Sequence, residues 1–536
     1  MTLSDYSSSQ SVSRPTSPAS GISEIGSGGK RGRQRPWPLG LWHRITRAEN
    51  LVFQILFWLA LYIPFEEFFL RWLPTPLAVL LRFIPELMLY ALLVKVCLPK
   101  IWRGKPLKRT PVDLIVALFF LASVISMLIN DSSIKQSVIN LRTIWRYISV
   151  FYITVNIDIS RDELRRMLKG LRLVMLAQGI IGALQYFLPA SVNQAVFAPR
   201  SFEIGNYKGG SNAAEGGLKV GAVAGTFSDP AILSAFSLIS LTLFFGCAYA
   251  TSANLWPGWI EARNVGVIFF AIFATKKRIA LALALLIPIF TLYVYGRKRK
   301  IVNMGWFYLV AGLIGVVAIV ALGAMSTSVA GIDEREESVN ITTYFLQLFS
   351  PEYWEHSNET ARGWFTGTIL NAIFSTHSWF GFGPDAWGTI EAIQDTLSTG
   401  DDIDKLRRDA DVFDDGFWFA FLAYFGFVGT AIYAYMLKRL YDAGRWLTRV
   451  SKEPEYKILG ATFATLIIVT ALYTFAERIP RLRAFSFYFW LLAGLVVNIC
   501  HIKMATIKQA RQSRLLESGA YLENADEIVE REVDSY

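Results

Sequence analysis

Apolar residues in this chain fall into runs of about 20 positions, separated by shorter polar stretches that carry most of the charges. A helix needs roughly 20 apolar residues to cross the hydrocarbon core of a bilayer. On that criterion the pattern predicts twelve membrane-spanning helices. They lie near 50–70, 75–96, 111–130, 137–156, 168–188, 229–250, 262–275, 279–296, 303–324, 413–437, 458–476 and 484–501.

One polar stretch is much longer than the others, and it runs from about residue 326 to 415, between the ninth and tenth predicted spans. A loop of this length usually either carries function or is disordered. Its tryptophans favour an ordered, packed loop; they are Trp354, Trp364, Trp379 and Trp387. We therefore expect this loop to contain the working part of the protein.

Basic residues collect on one side of the predicted spans. They precede the first span and follow the second, fourth, eighth, tenth and twelfth. Because loops rich in lysine and arginine stay in the cytoplasm, both termini are predicted to be cytoplasmic and the long loop to be outside. The predicted order is a disordered cytoplasmic tail (1–49), spans one to nine (50–324), the outer loop (325–412), spans ten to twelve (413–501) and a second cytoplasmic tail (502–536).

The composition agrees with an all-α polytopic membrane protein. The chain is 53% hydrophobic and 18% charged, whereas soluble domains usually have about 25% charged residues. The basic loops account for the net charge of +10, so no nucleic-acid partner is implied. The three cysteines lie in apolar runs, which predicts no disulfide framework. No zinc spacing or nucleotide-binding loop occurs, so we expect no metal and no cofactor.

Two predicted outer segments are basic although that face disfavours positive charge. They are 275–278 and 477–483. The first places Lys276, Lys277 and Arg278 next to one another at the tip of a short hairpin. Such cations are costly near a membrane unless an anion binds them, which predicts substrate contacts for Lys277 and Arg278. In the alternative interpretation, the side chains only reach lipid headgroups.

The fourth predicted span carries Arg142 and Arg146, four residues apart and therefore on one face of a helix. Two interpretations stay open. The arginines pair with Glu66, Glu67 or Glu86 from the first two spans, or they contact a substrate.

A second outer segment, about 189–228, contains Lys219 and leads into the sequence 225–230. There Ser228 or Asp229 is predicted to cap a helix whose first residue is Pro230. A capped helix start beside basic residues is a suitable anion site, although capping alone explains the same residues.

Short motifs in this order and spacing resemble those of O-antigen ligases and Wzy-type polysaccharide polymerases. The resemblance covers about residues 50–500. Its motifs are Pro64-Phe65-Glu66, the Gly-Thr-Phe-Ser-Asp-Pro sequence at 225–230, Thr275-Lys276-Lys277-Arg278, Arg362-Gly363-Trp364, Gly381-Phe382-Gly383-Pro384, Asp415-Gly416-Phe417 and Phe425-Gly426-Phe427-Val428-Gly429.

This resemblance implies a GT-C-like glycosyltransferase of the bacterial inner membrane, whose long loop is periplasmic. Such enzymes move a glycan from an undecaprenyl diphosphate carrier to a sugar hydroxyl, with inversion and without metal or nucleotide. The implied partners are the lipid-linked donor, an acceptor glycan, the bilayer, a chain-length regulator and a flippase. Arg278 and Lys219 match the positions that hold the diphosphate.

The same resemblance places the catalytic base near the end of the long loop. The ligases have a histidine there, and this chain instead has Asp411, Asp414 and Asp415. That difference favours a polymerase over a ligase. Asp415 and Asp414 are our predicted catalytic residues, because an attacking hydroxyl must lose its proton to a base opposite the leaving group. Either aspartate could instead cap the tenth span.

Cations near the bilayer would stabilise the charge that develops on a diphosphate leaving group. Arg362 is predicted to contact substrate, or else to pair with Glu359 three residues earlier. Gly381 and Gly383 predict a turn, and their region could alternatively form a backbone anion nest.

Three other functions are open. A ligase would transfer the glycan to an acceptor lipid. A secondary transporter, such as a flippase for lipid-linked sugars, also fits twelve spans. Transporters usually show two related halves, and no internal repeat is visible here. The third alternative is a membrane scaffold or envelope sensor, but that function does not explain why the outer segments are basic.

Overall fold

The computed structural model describes residues 48–197, 202–204, 207–209, 222–250, 258–296, 361–396 and 416–517. Within these ranges the chain forms α-helices and one small antiparallel hairpin, β1 (Phe202–Ile204) with β2 (Tyr207–Gly209). The helices are α1 (Ala48–Tyr62), α2 (Glu66–Leu70), α3 (Thr75–Trp102), α4 (Asp113–Ile129), α5 (Ile134–Trp145), α6 (Ile148–Asn156), α7 (Arg161–Phe187), α8 (Ala190–Phe197), α9 (Pro230–Tyr249), α10 (Gly258–Ala274), α11 (Arg278–Tyr295), α12 (Ala361–Thr376), α13 (Ala386–Gln394), α14 (Phe417–Val450), α15 (Pro454–Tyr473) and α16 (Arg483–Glu517).

Eight helical segments in the described part of the chain are long and apolar enough to cross a membrane. They comprise α1 continued through α2, then α3, α7, α9, α11, α14, α15 and α16. Two shorter apolar helices lie at Asp113–Ile129 and Arg263–Ala274. The prediction of an α-helical membrane protein is confirmed. The predicted ninth span, 303–324, lies outside the described residues, so the total of twelve stays a prediction.

Two predicted spans are interrupted, and each interruption brings polar groups into the helix bundle. In the first span a 3-10 turn at Ile63–Phe65 separates α1 from α2, where Pro64 has no N–H to continue the helix ladder. The fourth predicted span, 137–156, is two helices that break between Trp145 and Ile148. The breaks place Glu66 and Tyr147 in the interior, where both are buried.

Helix α9 is the central element of the bundle, because nearly all of its side chains are buried. It packs against α7, α10, α11 and α15. Its hydroxyl groups find acceptors in the helix itself, as where Ser240 donates to the Phe236 carbonyl at 2.8 Å. The hydroxyls of Ser234 and Tyr473 meet at 2.7 Å and tie α9 to α15. Internal hydrogen bonds of this kind allow polar side chains in a buried helix.

A close helix crossing joins α14 to α15, where two glycines face each other. A Cβ on Gly460 would lie 2.6 Å from the carbonyl oxygen of Gly444. Glycines at such a crossing let the two backbones touch, as is common between membrane helices.

Contacts between loops separate the two ends of the bundle as the basic residues predict. At one end Arg161 contacts Glu455 at 2.8 Å and Lys503 contacts Glu453 at 2.5 Å, all from predicted cytoplasmic segments. At the other end, which we call the site end, Lys277 from one predicted outer loop contacts Glu477 from another at 2.7 Å. Each of these pairs joins two segments that the sequence predicts on the same side of the membrane. Which end faces the cytoplasm stays a prediction.

Candidate functional site

Arg483 connects four separate parts of the chain at the site end. Its Nη2 atom lies 3.1 Å from Oε1 of Glu66, and its Nε donates to the Tyr147 hydroxyl at 2.7 Å. Nη2 also donates to the backbone carbonyl of Arg82 at 2.5 Å. Arg483, Glu66 and Tyr147 are all buried. One guanidinium therefore fixes the break in the first span, helix α3 and the break before α6 against the start of α16.

Glu86 of α3 binds both arginines that the sequence places on one helix face. Arg142 donates to its Oε2 atom, and Nε of Arg146 lies 3.2 Å from Oε1. The predicted pairing with a glutamate from the first two spans is thus observed, and the partner is Glu86. Contact of these arginines with a substrate stays a prediction.

A further pair joins Arg82 to Glu67 at 3.1 Å. Together these side chains form what we call the arginine–glutamate cluster: Glu66, Glu67, Arg82, Glu86, Arg142, Arg146 and Arg483. Its four arginines face three glutamates, so the cluster carries one positive charge more than its carboxylates neutralise.

The cationic turn, Thr275–Arg278, links α10 to α11. Lys276 has a φ of +56°, a left-handed conformation that is uncommon for a residue with a side chain. Burial lowers the pKa of the Lys276 ammonium from its ordinary value, because desolvation penalises the charged form. Lys277 and Arg278 stand at the start of α11, where the helix dipole favours negative charge. An anion at the turn would favour the charged form of Lys276 and would interact favourably with the start of α11.

The sequence 225–230 caps helix α9 and contacts the break in the first span. The predicted cap is confirmed, since Oδ1 of Asp229 accepts from the Ala231 amide at 2.7 Å and the helix begins at Pro230. The Thr226 hydroxyl donates to the carbonyl of Pro64 at 2.6 Å, so two of the motifs that the sequence singles out contact each other.

The amides that precede this helix start already donate to protein side chains, which favours the capping alternative, and contact of the segment with an anion stays a prediction. Gly225 donates to Oε1 of Gln185 at 2.7 Å, Thr226 to Oε1 of Gln178 at 3.3 Å and Ser228 to Oε2 of Glu67 at 2.7 Å. These bonds fix the segment between α7 and α2 and leave those donors engaged.

The loop at 379–384 docks against a kink in α14. The amides of Phe382 and Gly383 donate to the carbonyls of Ala423 and Tyr424, at 2.8 and 3.1 Å. The predicted turn is confirmed by the φ of +76° at Gly381, and the alternative of an anion nest is wrong because these amides bind α14. The loop thus ties the long polar segment to the tenth predicted span.

Several predicted site residues cannot be placed. Asp414, Asp415 and Lys219 lie outside the described residues. Arg362 is in the first turn of α12, and its side chain lies outside the description. Of the predicted substrate contacts, the structure brings Arg142 and Arg146 together in one cluster and Lys277 and Arg278 in the cationic turn. Glu477 lies within 2.7 Å of Lys277 and six residues before Arg483, so the two groups are joined through one short segment.

The importance of Arg483 and Tyr147 was not predicted from the sequence. The one sequence signal for this region was that segment 477–483 is basic although it is predicted on the outer side of the membrane, where positive charge is disfavoured. Within the described ranges, no group of three His, Cys, Asp or Glu side chains is placed to hold a metal ion.

No family model matches the chain. A search of curated proteins also finds no match. Fold and site together define an α-helical membrane protein with a buried arginine–glutamate cluster and a cationic turn at one end.

Proposed function

We propose that this protein polymerises undecaprenyl-diphosphate-linked oligosaccharide repeat units into a surface polysaccharide, by inverting glycosyl transfer at the outer face of the inner membrane. The observation that carries the proposal is the cationic turn. It is a strained, partly buried group of three cations at a helix start, on the end of the bundle that the basic loops predict to be outside. Such a group suits the diphosphate of a lipid carrier.

In this proposal Lys277 and Arg278 bind the donor diphosphate and stabilise its charge as it leaves. Lys219 and Arg362 supply further contacts, and Asp415 or Asp414 accepts the proton of the attacking hydroxyl. The GT-C-like arrangement of twelve spans belongs to the same proposal. The described glutamates of the site are poor candidates for the base, because Glu66, Glu67 and Glu86 are each already engaged by an arginine.

Replacement of Arg278 by alanine is expected to abolish polymer while the protein stays in the membrane. A charge-assisted contact contributes on the order of 1.5–3 kcal/mol, and the contribution rises where the contact tightens as charge develops. Arg278→Lys should restore part of the activity, because lysine keeps the charge and loses the bidentate geometry. The measurement is polymer yield divided by the amount of membrane-bound protein.

Arg449→Ala is the matched control, since Arg449 is an exposed arginine at the other end of the bundle. It should leave the yield unchanged. A normal yield from Arg278→Ala would remove the diphosphate role from this residue.

Deletion of the gene separates the polymerase from the ligase. Loss of a polymerase should accumulate single lipid-linked repeat units, whereas loss of a ligase should accumulate long lipid-linked polymer. The lipid extract is analysed by mass spectrometry, with complementation by the intact gene as the control.

The orientation is tested with reporters fused at two positions. A reporter that is active only after export should work near Ser398 and fail near Asp158, because the basic loops place these positions on opposite sides. The reverse pattern would invert the topology and contradict the proposed outer face of the reaction.

A further inference from the structure

Arg142 lies in an unusual place, because its side chain is 40% exposed in the middle of an apolar surface. Its guanidinium carbon lies 5.6 Å from the centre of the Phe83 ring. The neighbouring exposed side chains on α3 and α5, which we call the lipid flank, are Phe83, Leu87, Val138 and Ile139. Helix α3 is the least buried of the eight long apolar helices, which is what a helix facing lipid requires.

The position of Arg142 is far from the end of the apolar surface. Its partner Glu86 is 11 residues after the start of the 28-residue helix α3, which is about 17 Å along the axis. Exposed apolar residues continue on both sides of that level, at Leu77 toward one end and Leu98 toward the other. A charged group at such a depth is costly unless an opposite charge accompanies it.

Glu86 supplies only part of that opposite charge, because it is shared. The same carboxylate binds Arg146, whose side chain is 22% exposed and reaches further inward. The neighbouring arginines each have a carboxylate of their own, Arg82 with Glu67 and Arg483 with Glu66. The excess positive charge of the cluster is therefore located at the two arginines on Glu86. Arginine pairs with phosphate through two parallel hydrogen bonds, and its flat charge tolerates weak hydration.

We propose that Arg142 and Arg146 bind the phosphate group of a membrane lipid whose chains lie along the lipid flank. The phosphate approaches from the side, meets Arg142 first, and completes the neutralisation of two arginines that Glu86 neutralises only in part. Two lipids offer this chemistry, a glycerophospholipid and a polyprenyl diphosphate. Only the second links the site to the proposed function, where it would be the donor or the lipid-linked acceptor.

The test measures lipid retention on the full chain, purified in an uncharged detergent, by native mass spectrometry. Three probes are added separately: a polyprenyl diphosphate, phosphatidylglycerol and inorganic diphosphate. Arg142→Gln is expected to lower the apparent affinity for at least one of the two lipids about tenfold or more. Lys135→Gln should leave it unchanged, because Lys135 is an exposed lysine on the same helix, seven residues earlier.

A second variant gives an effect of opposite sign. Glu86→Gln removes the carboxylate that competes with the phosphate, so the folded protein should retain the lipid at least as well as the unmodified chain. Its folding is checked by thermal unfolding. A purely structural role of the arginines predicts equal retention in all variants.

The outcomes are distinct. Equal retention by Arg142→Gln, weaker retention by folded Glu86→Gln, or inorganic diphosphate bound as tightly as either lipid would each overturn the proposal. Retention of phosphatidylglycerol alone would support the lipid site and identify its source as bulk lipid, without bearing on polymer formation. Polymer yield of Arg278→Ala tests the proposed function separately, since Arg278 is outside the cluster.

Discussion

Gly426→Ala is expected to prevent the accumulation of folded protein. Gly426 has φ +62° and ψ −165° at the kink of α14, a backbone region that is essentially restricted to glycine. A Cβ there would lie 2.1 Å from the Trp379 carbonyl oxygen and 2.4 Å from the Gly381 amide nitrogen. Both are backbone atoms, so neither can move without undocking the loop.

We expect a loss of more than about 4 kcal/mol, which is the range of exceptional single substitutions. The measurement is thermal unfolding of the purified protein, together with its amount in the membrane. Gly266→Ala is the control, since a Cβ at that helical position meets nothing within 4 Å. Unchanged unfolding of Gly426→Ala would contradict the docking of the 379–384 loop against α14.

Arg483→Met is expected to destabilise the fold by roughly 3–5 kcal/mol, the cost of leaving one partner of a buried ion pair alone. The substitution keeps most of the volume and removes the charge that faces Glu66, whose side chain is 1% exposed. It also removes the donors to the Tyr147 hydroxyl and the Arg82 carbonyl. Thermal unfolding is again the measurement, with the exposed Arg478→Met as the control.

The double variant Glu66→Gln with Arg483→Met tests the cause. Because the second substitution removes the stranded carboxylate, the double variant should be more stable than Arg483→Met alone. Additive destabilisation by the two substitutions would show that Arg483 acts through its other contacts rather than through the ion pair.

The helices could largely be predicted from the sequence, because their signals are local. A run of apolar residues predicts a span whatever surrounds it, and the cap of α9 depends only on Asp229 and the following Pro230. The separation of loops between two ends also follows from the sequence, since basic residues follow every second span or so. Helical spacing predicts that Arg142 and Arg146 lie on one side, although Arg146 stands just past the end of α5 and their glutamate partner depends on packing.

The break between Trp145 and Ile148 shows where local signals end. The segment 137–156 contains neither proline nor glycine, and its apolar pattern predicts one continuous helix. In the folded chain the Tyr147 hydroxyl, beside this break, accepts from Nε of Arg483, 336 residues away. At the far end of α6, Nδ2 of Asn498 donates to the carbonyls of Thr154 and Ile157, each at 2.6 Å. The break is stabilised by partners that only the fold brings near.

The candidate site shows the same division. The residue types pointed correctly to charged and capping groups, while their partners depended on packing. In an isolated segment, the backbone amides of 225–228 and 382–383 could donate to an anion. In the fold, they donate to protein acceptors on Gln185, Gln178, Glu67 and helix α14. A hydrogen-bond donor has one strong acceptor at a time, so tertiary structure decides whether it remains open to a ligand.

By itself, the sequence determined the class of the protein, the approximate positions of the eight long apolar helices of the described part and the concentration of cations at one end, because hydrophobicity, charge and helix capping act over a few residues. Tertiary structure alone decided that Glu86 is shared by two arginines, that Arg483 joins four segments and that Gly426 meets the 379–384 loop. Those outcomes depend on contacts between residues far apart in the chain, and such contacts are set by how the helices pack.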